Sequence, residues 1–206
     1  MSLDLLNIDK HYCITLESRP DRKRYAEEMF AKLGINVEFF PAVNGNLIDY
    51  KSISNRHTPG MVGCFLSHRA IWIDAIGNGY KRIMVWEDDA KPVPHFNTLM
   101  KRAIPALPSD WQFIYLGFTH YQGFYAYREK VNDYWVKPGH GWGTQCYAVN
   151  GPDVMLKLVE GAAKMHMQID EQLIQDILPM SKINHYSIQP NAVYQEDFIS
   201  DVQINK

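Results

Sequence analysis

The chain has 206 residues, 46% hydrophobic and 21% charged, which suits one globular α/β domain, or one domain with an appended subdomain. Its net charge of −2, its pI near 6.4 and the lack of a long Lys/Arg block exclude a nucleic-acid backbone as the main partner. The opening MSLDLLNIDKHY lacks a signal-peptide pattern, and no stretch reaches the roughly 20 apolar residues that span a bilayer, so no transmembrane segment is expected. Cys13, Cys64 and Cys146 are widely spaced in apolar surroundings, which argues against disulfides and against a thiolate metal site. A soluble, cytoplasmic chain follows, with peripheral attachment at a membrane left open.

His11 to Leu16 reads as a first strand, broken by Glu17-Ser18-Arg19-Pro20. Asp21 to Leu33 carries Tyr25, Met29, Phe30 and Leu33 at amphipathic-helix spacing and ends at Gly34. Val37 to Phe40 reads as a second strand, which makes the opening a β-α-β unit of the kind that places ligands at strand C-termini. Arg19, Arg22, Lys23 and Arg24 crowd the start of the helix, where cations oppose its dipole. Lys23 and Arg24 can pair with Glu27 and Glu28 at i+4, whereas Arg19 and Arg22 have no such partners and are candidates to bind an anion.

Pro41 to Pro59 is polar, carries the turn signal Asn44-Gly45-Asn46, and reads as a loop or flap. Gly60 to Ile76 is apolar on most of its circumference and so is expected to be a largely buried helix. Ser67 and His68 are its polar exceptions; His68 is either a satisfied core group or a residue that lines a cleft. Asn78-Gly79 ends this helix.

Lys81 to Val93, KRIMVWEDDAKPV, is the stretch around which the rest is organised. Ile83 to Trp86 reads as a buried strand, and Glu87, Asp88 and Asp89 follow it at once, before Pro92 and Pro94 stop the sheet. Adjacent buried carboxylates raise one another's pKa and call for a counter-charge, here a divalent metal carrying a phosphorylated ligand. Strand alternation puts Glu87 and Asp89 on one face and Asp88 on the other. Two carboxylates at i and i+2 suit a hard cation, Mn2+ or Mg2+. An ordinary acidic turn is the plain alternative.

Phe96 to Leu107 reads as a helix, Trp111 to Leu116 as a strand and Gly117 to Asp133 as a long loop rich in Tyr, Phe and Gly. Tyr134 to Val136 and Thr144 to Val149 read as strands, with a flexible Pro138 to Gly143 between them. A helix follows from Gly151-Pro152-Asp153 through about Glu160. A short helix over Gln168 to Leu178 is expected to be capped near Asp170 and stopped by Pro179. The tail from His185 to Lys206 reads as extended and polar. Tyr121, Phe124, Tyr125, Tyr127 and Trp142 lie in loops, where they either stack on sugar faces or pack internally.

Several separated motifs together resemble glycosyltransferase family 25, the lipopolysaccharide and procollagen sugar transferases. They are ITLESRPDRKR from Ile14, AVNG from Ala42, GMVGCFLSHRAIW from Gly60, VWEDDA from Val85, GTQCYAVNG from Gly143, IDEQL from Ile169, and the Ser200-Asp201 pair. Met61 and Val62 depart from the family pattern, in which an acidic residue is usual, and Trp86 stands where a smaller aliphatic is usual.

The resemblance implies an α/β, GT-A-like fold, a Rossmann-like mixed sheet flanked by helices, over residues 1–206 as one domain. Its nucleotide-binding part would be about 1–110 and its acceptor-side part about 111–206. It also implies transfer of a hexose, often galactose, from a UDP-sugar to a glycan or lipid-linked saccharide acceptor, with inversion. In that frame Asp89 is the metal ligand, while Glu87 or Asp88 holds donor ribose or sugar hydroxyls. Arg19 and Arg22 bind the diphosphate, Ser67 and His68 belong to the donor side, and Asp170 is the base, or else only a helix cap. The rival readings are a non-catalytic sugar- or nucleotide-binding module and a nucleotidyltransferase; for the latter, Leu16 to Asp21 lacks the usual glycines.

Overall fold

The first strand, β1 (Lys10–Thr15), is polar where it starts and buried from Tyr12 onward, so its C-terminal half runs through the core. Pro20 opens α1 (Pro20–Leu33), and Gly34, at φ 70°, closes it by donating its N–H to carbonyls of the last turn. With β2 (Glu38–Pro41) parallel to β1, the expected β-α-β unit is formed. The computed structural model of the chain describes residues 3–120, 129–199 and 201.

The expected loop over 41–59 contains a short 3-10 turn, Gly45–Leu47, and a one-turn helix, α2 (Tyr50–Ile53). Thr58 caps α3 (Pro59–Gly77) by accepting the Met61 N–H at 3.2 Å, and Pro59 occupies its first turn. The helix buries Val62, Phe65, His68, Ile71 and Trp72 against the sheet, as its all-round apolar pattern predicts. Then come β3 (Arg82–Glu87), β4 (Ala90–Pro92), α4 (Phe96–Ala103) and β5 (Phe113–Tyr115). Short pairs follow, β6 (Thr119–His120), β7 (Glu129–Lys130), β8 (Trp135–Lys137) and β9 (Gly141–Trp142). β10 (Cys146–Asn150) and α5 (Pro152–Gly161) lead to α6 (Ile169–Gln172). α6 continues through a π turn, Leu173–Ile177, into α7 (Leu178–Met180). β11 (His185–Ile188) and β12 (Val193–Gln195) complete the chain.

The main sheet runs β2-β1-β3-β10-β5-β11-β8-β7. β1, β2 and β3 are parallel, β10 is antiparallel to both β3 and β5, and β11 is parallel to β5. One apolar layer, with α3 and α5, covers one face; a second, with α1, α4 and the opening 3-10 turn, covers the other. This is the α/β plan, a mixed sheet flanked by helices, that the sequence implies. Among the described residues no helix is long and apolar enough to cross a membrane.

Two expectations are corrected. The tail is not simply extended and polar: β11 enters the main sheet, and Tyr186, Ile188, Ala192 and Val193 are buried. The 168–178 helix does not stop at Pro179 but runs on to Met180, and the π turn Leu173–Ile177 lies just before the proline, whose missing N–H interrupts the regular ladder.

Candidate functional site

Glu87 is the last residue of β3, and Asp88 and Asp89 form the turn that swings the chain out of the main sheet into β4. There β4 pairs with β12, and the Glu196 N–H donates to the Asp89 carbonyl at 2.8 Å. This turn overrides the strand alternation expected through the triplet. Glu87 points to one side, where it accepts from the Thr144 hydroxyl at 2.6 Å and meets His68 Nε2 at 3.2 Å. Asp88 and Asp89 instead converge on a single residue, Arg22.

Arg22 is buried, with Nη2 at 2.5 Å from Asp88 Oδ1 and 2.7 Å from Asp89 Oδ2. Its Nη1 reaches Asp201 at 3.1 Å, and Arg19 holds the same Asp201 oxygen at 2.5 Å while also pairing with Asp21. Phe198 lies under both guanidinium groups, at 5.9 and 5.7 Å. The counter-charge assigned to a metal from sequence is thus present in the chain as a guanidinium. Arg19 and Arg22 lack partners at i+4 but are paired across the fold.

Burial opposes the charge of Arg22, yet the surrounding carboxylates outweigh burial and raise its pKa. The three acids diverge. Burial works against the Glu87 anion, but His68 and Thr144 overcome it and hold Glu87 below the usual range. Asp88 is raised by burial, and Asp89 is pushed up to about 7 by burial and by the charge of Glu87. Asp89 Oδ1 is buried without a hydrogen-bond partner. An orphan carboxylate oxygen beside two further carboxylates fits a hard divalent cation, which would be held by Asp89 with Asp88 or Glu87.

These groups floor a cleft of about 390 Å³ that is walled by Thr15, Ser18 and Arg22, by Ala42–Asn46, and by Gly60, Cys64, Ser67 and His68 of α3. The Ala42–Asn46 loop lies tightly on α3. A Cβ on Gly63 would run into the Val43 carbonyl, and one on Gly45 into the Pro59 carbonyl. Ser67 pins the loop, because its hydroxyl accepts from the Val43 N–H at 2.8 Å and donates to the Gly63 carbonyl at 2.7 Å. Ser67 therefore lines the cleft with its hydroxyl already engaged.

Cys64, His68 and Glu87 carry ligand atoms within 4.8 Å of one another, a metal-sized cluster that the cysteine spacing does not signal. Burial holds the Cys64 thiol well above its usual pKa, and so protonated.

Asp170 does not line this cleft, although its charge is felt at Glu87's neighbour Cys64 and at Tyr115. It is not the helix cap expected from sequence: Gln168 takes that position, and Asp170 is the second residue of α6, its Oδ1 accepting from the Glu171 N–H at 2.9 Å. Burial raises its pKa. Beside α6 lies β9, where Trp142 is 38% exposed. Tyr121, Phe124, Tyr125, Tyr127 and Ser200 lie outside the described residues. Thr144 and Phe198 were missed: the first sits inside a quoted motif without a role, and the second has no local signal.

The sequence model of "Glycosyltransferase family 25 (LPS biosynthesis protein)" matches residues 8–173. A "Glycosyltransferase 25 family member" of Anopheles gambiae is 29% identical over 200 residues, 87% of this chain and 31% of its own length. The human "Inactive glycosyltransferase 25 family member 3" is 25% identical over 222 residues, 94% of this chain and 34% of its own. The chain thus spans about a third of the length of the curated relatives it matches. A solved glycosyltransferase involved in the glycosylation of the major capsid of PBCV-1 superposes with a TM-score of 0.49 at 8% identity, covering 86% of this chain and 81% of that one. A family match that runs from the start of β1 past Asp170 takes in the arginines, the pinned loop and the acid triplet in one span, and by it the chain belongs to glycosyltransferase family 25.

Proposed function

We propose that this chain is a glycosyltransferase domain that moves a hexose, with galactose the first candidate, from a UDP-sugar to a glycan or lipid-linked saccharide, with inversion and with Mn2+ or Mg2+. The observation that carries the reading is Asp89, which has an orphaned buried oxygen and lines a cleft together with Arg22. When bound, the cation would offset charge on the departing diphosphate. Arg19 and Arg22 bind the same diphosphate, and for this Asp201, their present partner, gives way. Glu87, kept anionic, holds donor hydroxyls. Ser67 and His68 act on the donor through the loop and through Glu87 respectively. Asp170, with its raised pKa, takes the acceptor proton at its carboxylate, which becomes a better base the higher that pKa lies below the working pH.

The test is release of UDP from a panel of UDP-hexoses with Mn2+, with and without a chelator, using the purified chain. Turnover that the chelator abolishes supports the reading, and full turnover in the chelator removes the cation from it. A second reading, a nucleotide-sugar-binding module without turnover, is favoured by Arg22 already neutralising Asp88 and Asp89, and it accords with the relatives named as inactive. Binding of UDP-hexose without UDP release would select it.

A further inference from the structure

Behind Glu87 a chain of polar groups runs into the core. Trp72 Nε1 lies 3.0 Å from the Tyr147 hydroxyl, Tyr147 lies 3.0 Å from His68 Nδ1, and His68 Nε2 lies 3.2 Å from Glu87 Oε1. All three inner residues are fully buried. Trp72 and His68 sit four residues apart on one face of α3, and Tyr147 stands on β10 opposite Val85 of β3.

The direction of each bond follows from what each group can do. An indole N–H only donates, so the Tyr147 oxygen accepts from Trp72. The phenol proton then has one neighbour able to accept it, His68 Nδ1. The ring proton of His68 is left on Nε2, where it donates to the Glu87 carboxylate. With the proton on Nδ1 instead, or on both nitrogens, the phenol oxygen would accept twice and its own proton would face no acceptor. A buried orphan donor costs about 1–3 kcal/mol.

We propose that Trp72 and Tyr147 are positioning residues that fix His68 as its Nε2–H tautomer, and thereby clamp Glu87 between His68 and Thr144 with its second oxygen turned to the cleft. The one-way bonding begins at a group that cannot be reversed. It therefore gives Glu87 a fixed aim at a polar ligand, in the transferase reading a hydroxyl of the donor sugar. The consequence for the donor rests on that reading; the tautomer does not. The same polarity bears on the Cys64–His68–Glu87 cluster: a metal there would need the Nε2 lone pair that this tautomer lacks.

The experiment uses the full chain with 15N-labelled histidine, and the His68 signal is identified by its loss in His68→Gln. Long-range 1H–15N spectra near neutral pH are expected to show His68 protonated on Nε2 alone. In Tyr147→Phe that preference gives way to a mixture of tautomers. UDP affinity stays within about twofold, while release of UDP from UDP-hexose falls on the order of tenfold, the scale on which outer-shell orienting groups act. A wild-type ring protonated on Nδ1 or on both nitrogens overturns the proposal, and so does a Tyr147→Phe spectrum identical to wild type. A mixed tautomer with unchanged turnover overturns the link to Glu87. A wild-type chain with no turnover removes the transferase reading, and the spectra alone then decide the relay. Should Tyr147→Phe not fold, Trp72→Phe with Tyr147→Phe leaves no buried N–H without a partner and serves the same comparison.

Discussion

Arg22 holds Asp88 and Asp89 with one nitrogen, Nη2, at 2.5 and 2.7 Å, so a single buried guanidinium joins α1 to the turn after β3. Removing one partner from a buried ionic cluster leaves the others uncompensated, at a cost of about 3–5 kcal/mol. Arg22→Ala is therefore expected to lower Tm by on the order of 10 °C in a chain of this size. Added Mn2+ should recover part of that loss, since a cation replaces the missing charge. A Tm equal to wild type would show that the cluster contributes no net stability.

In the proposed reading, Asp89 would turn a cation dependence into a pH dependence. Its pKa of about 7 in the fold lies above the ordinary carboxylate value, so the folded chain binds this proton more tightly than the unfolded chain does. Without a cation, the favourable contribution is fully present at pH below the unfolded value and is lost as pH rises through about 7. A cation competes for the same carboxylate, so Mn2+ affinity should rise across that range and binding should release a proton. Calorimetry in two buffers of different ionisation enthalpy reads the proton directly. Asp89→Asn should lose the pH dependence and the metal-dependent UDP release while keeping its circular dichroism and Tm.

Asp201 competes with any anion for Arg19 and Arg22. Neutralising it frees both guanidinium groups, and Asp201→Asn is expected to tighten UDP binding several-fold, an effect of roughly 1 kcal/mol for a partly exposed charge. The gain should shrink in high salt. A titration with weaker binding in this variant would instead make Asp201 part of the ligand site.

Gly63 tests the pinned loop. A methyl group there meets the Val43 carbonyl, so Gly63→Ala must push the Ala42–Asn46 wall off α3 and separate Val43 from Ser67. We expect a loss of about 1–3 kcal/mol, the range for overpacking, with a larger loss in donor affinity. Unfolding in urea and UDP titration measure the two. Unchanged donor affinity would place the ligand away from this loop.

Much of this was readable from residue order where the cause is local. The apolar circumference of α3 and the apolar run before Glu87 each act within a few residues, and their elements formed where expected, with the helix starting one residue earlier at Pro59. The triplet's orientation was not readable, because a turn, rather than strand geometry, governs Asp88 and Asp89. Arg22 and Asp201 meet across 179 residues of chain, and no local pattern encodes such a pairing. The cap expected near Asp170 falls at Gln168, which leaves the Asp170 carboxylate inside the first helical turn.

β10, a strand made late, fills the gap between β3 and β5. Until residue 150 has left the ribosome, the strand that bears the acids has a bare hydrogen-bonding edge, its Ile83, Val85 and Glu87 amides unpaired on that side. A fragment ending near residue 110 would carry every arginine and carboxylate of the triplet cluster except Asp201, yet expose that adhesive edge to other copies. Nascent chains are therefore most prone to self-association over this interval, and shortened versions for biochemical work should retain the sequence through β11.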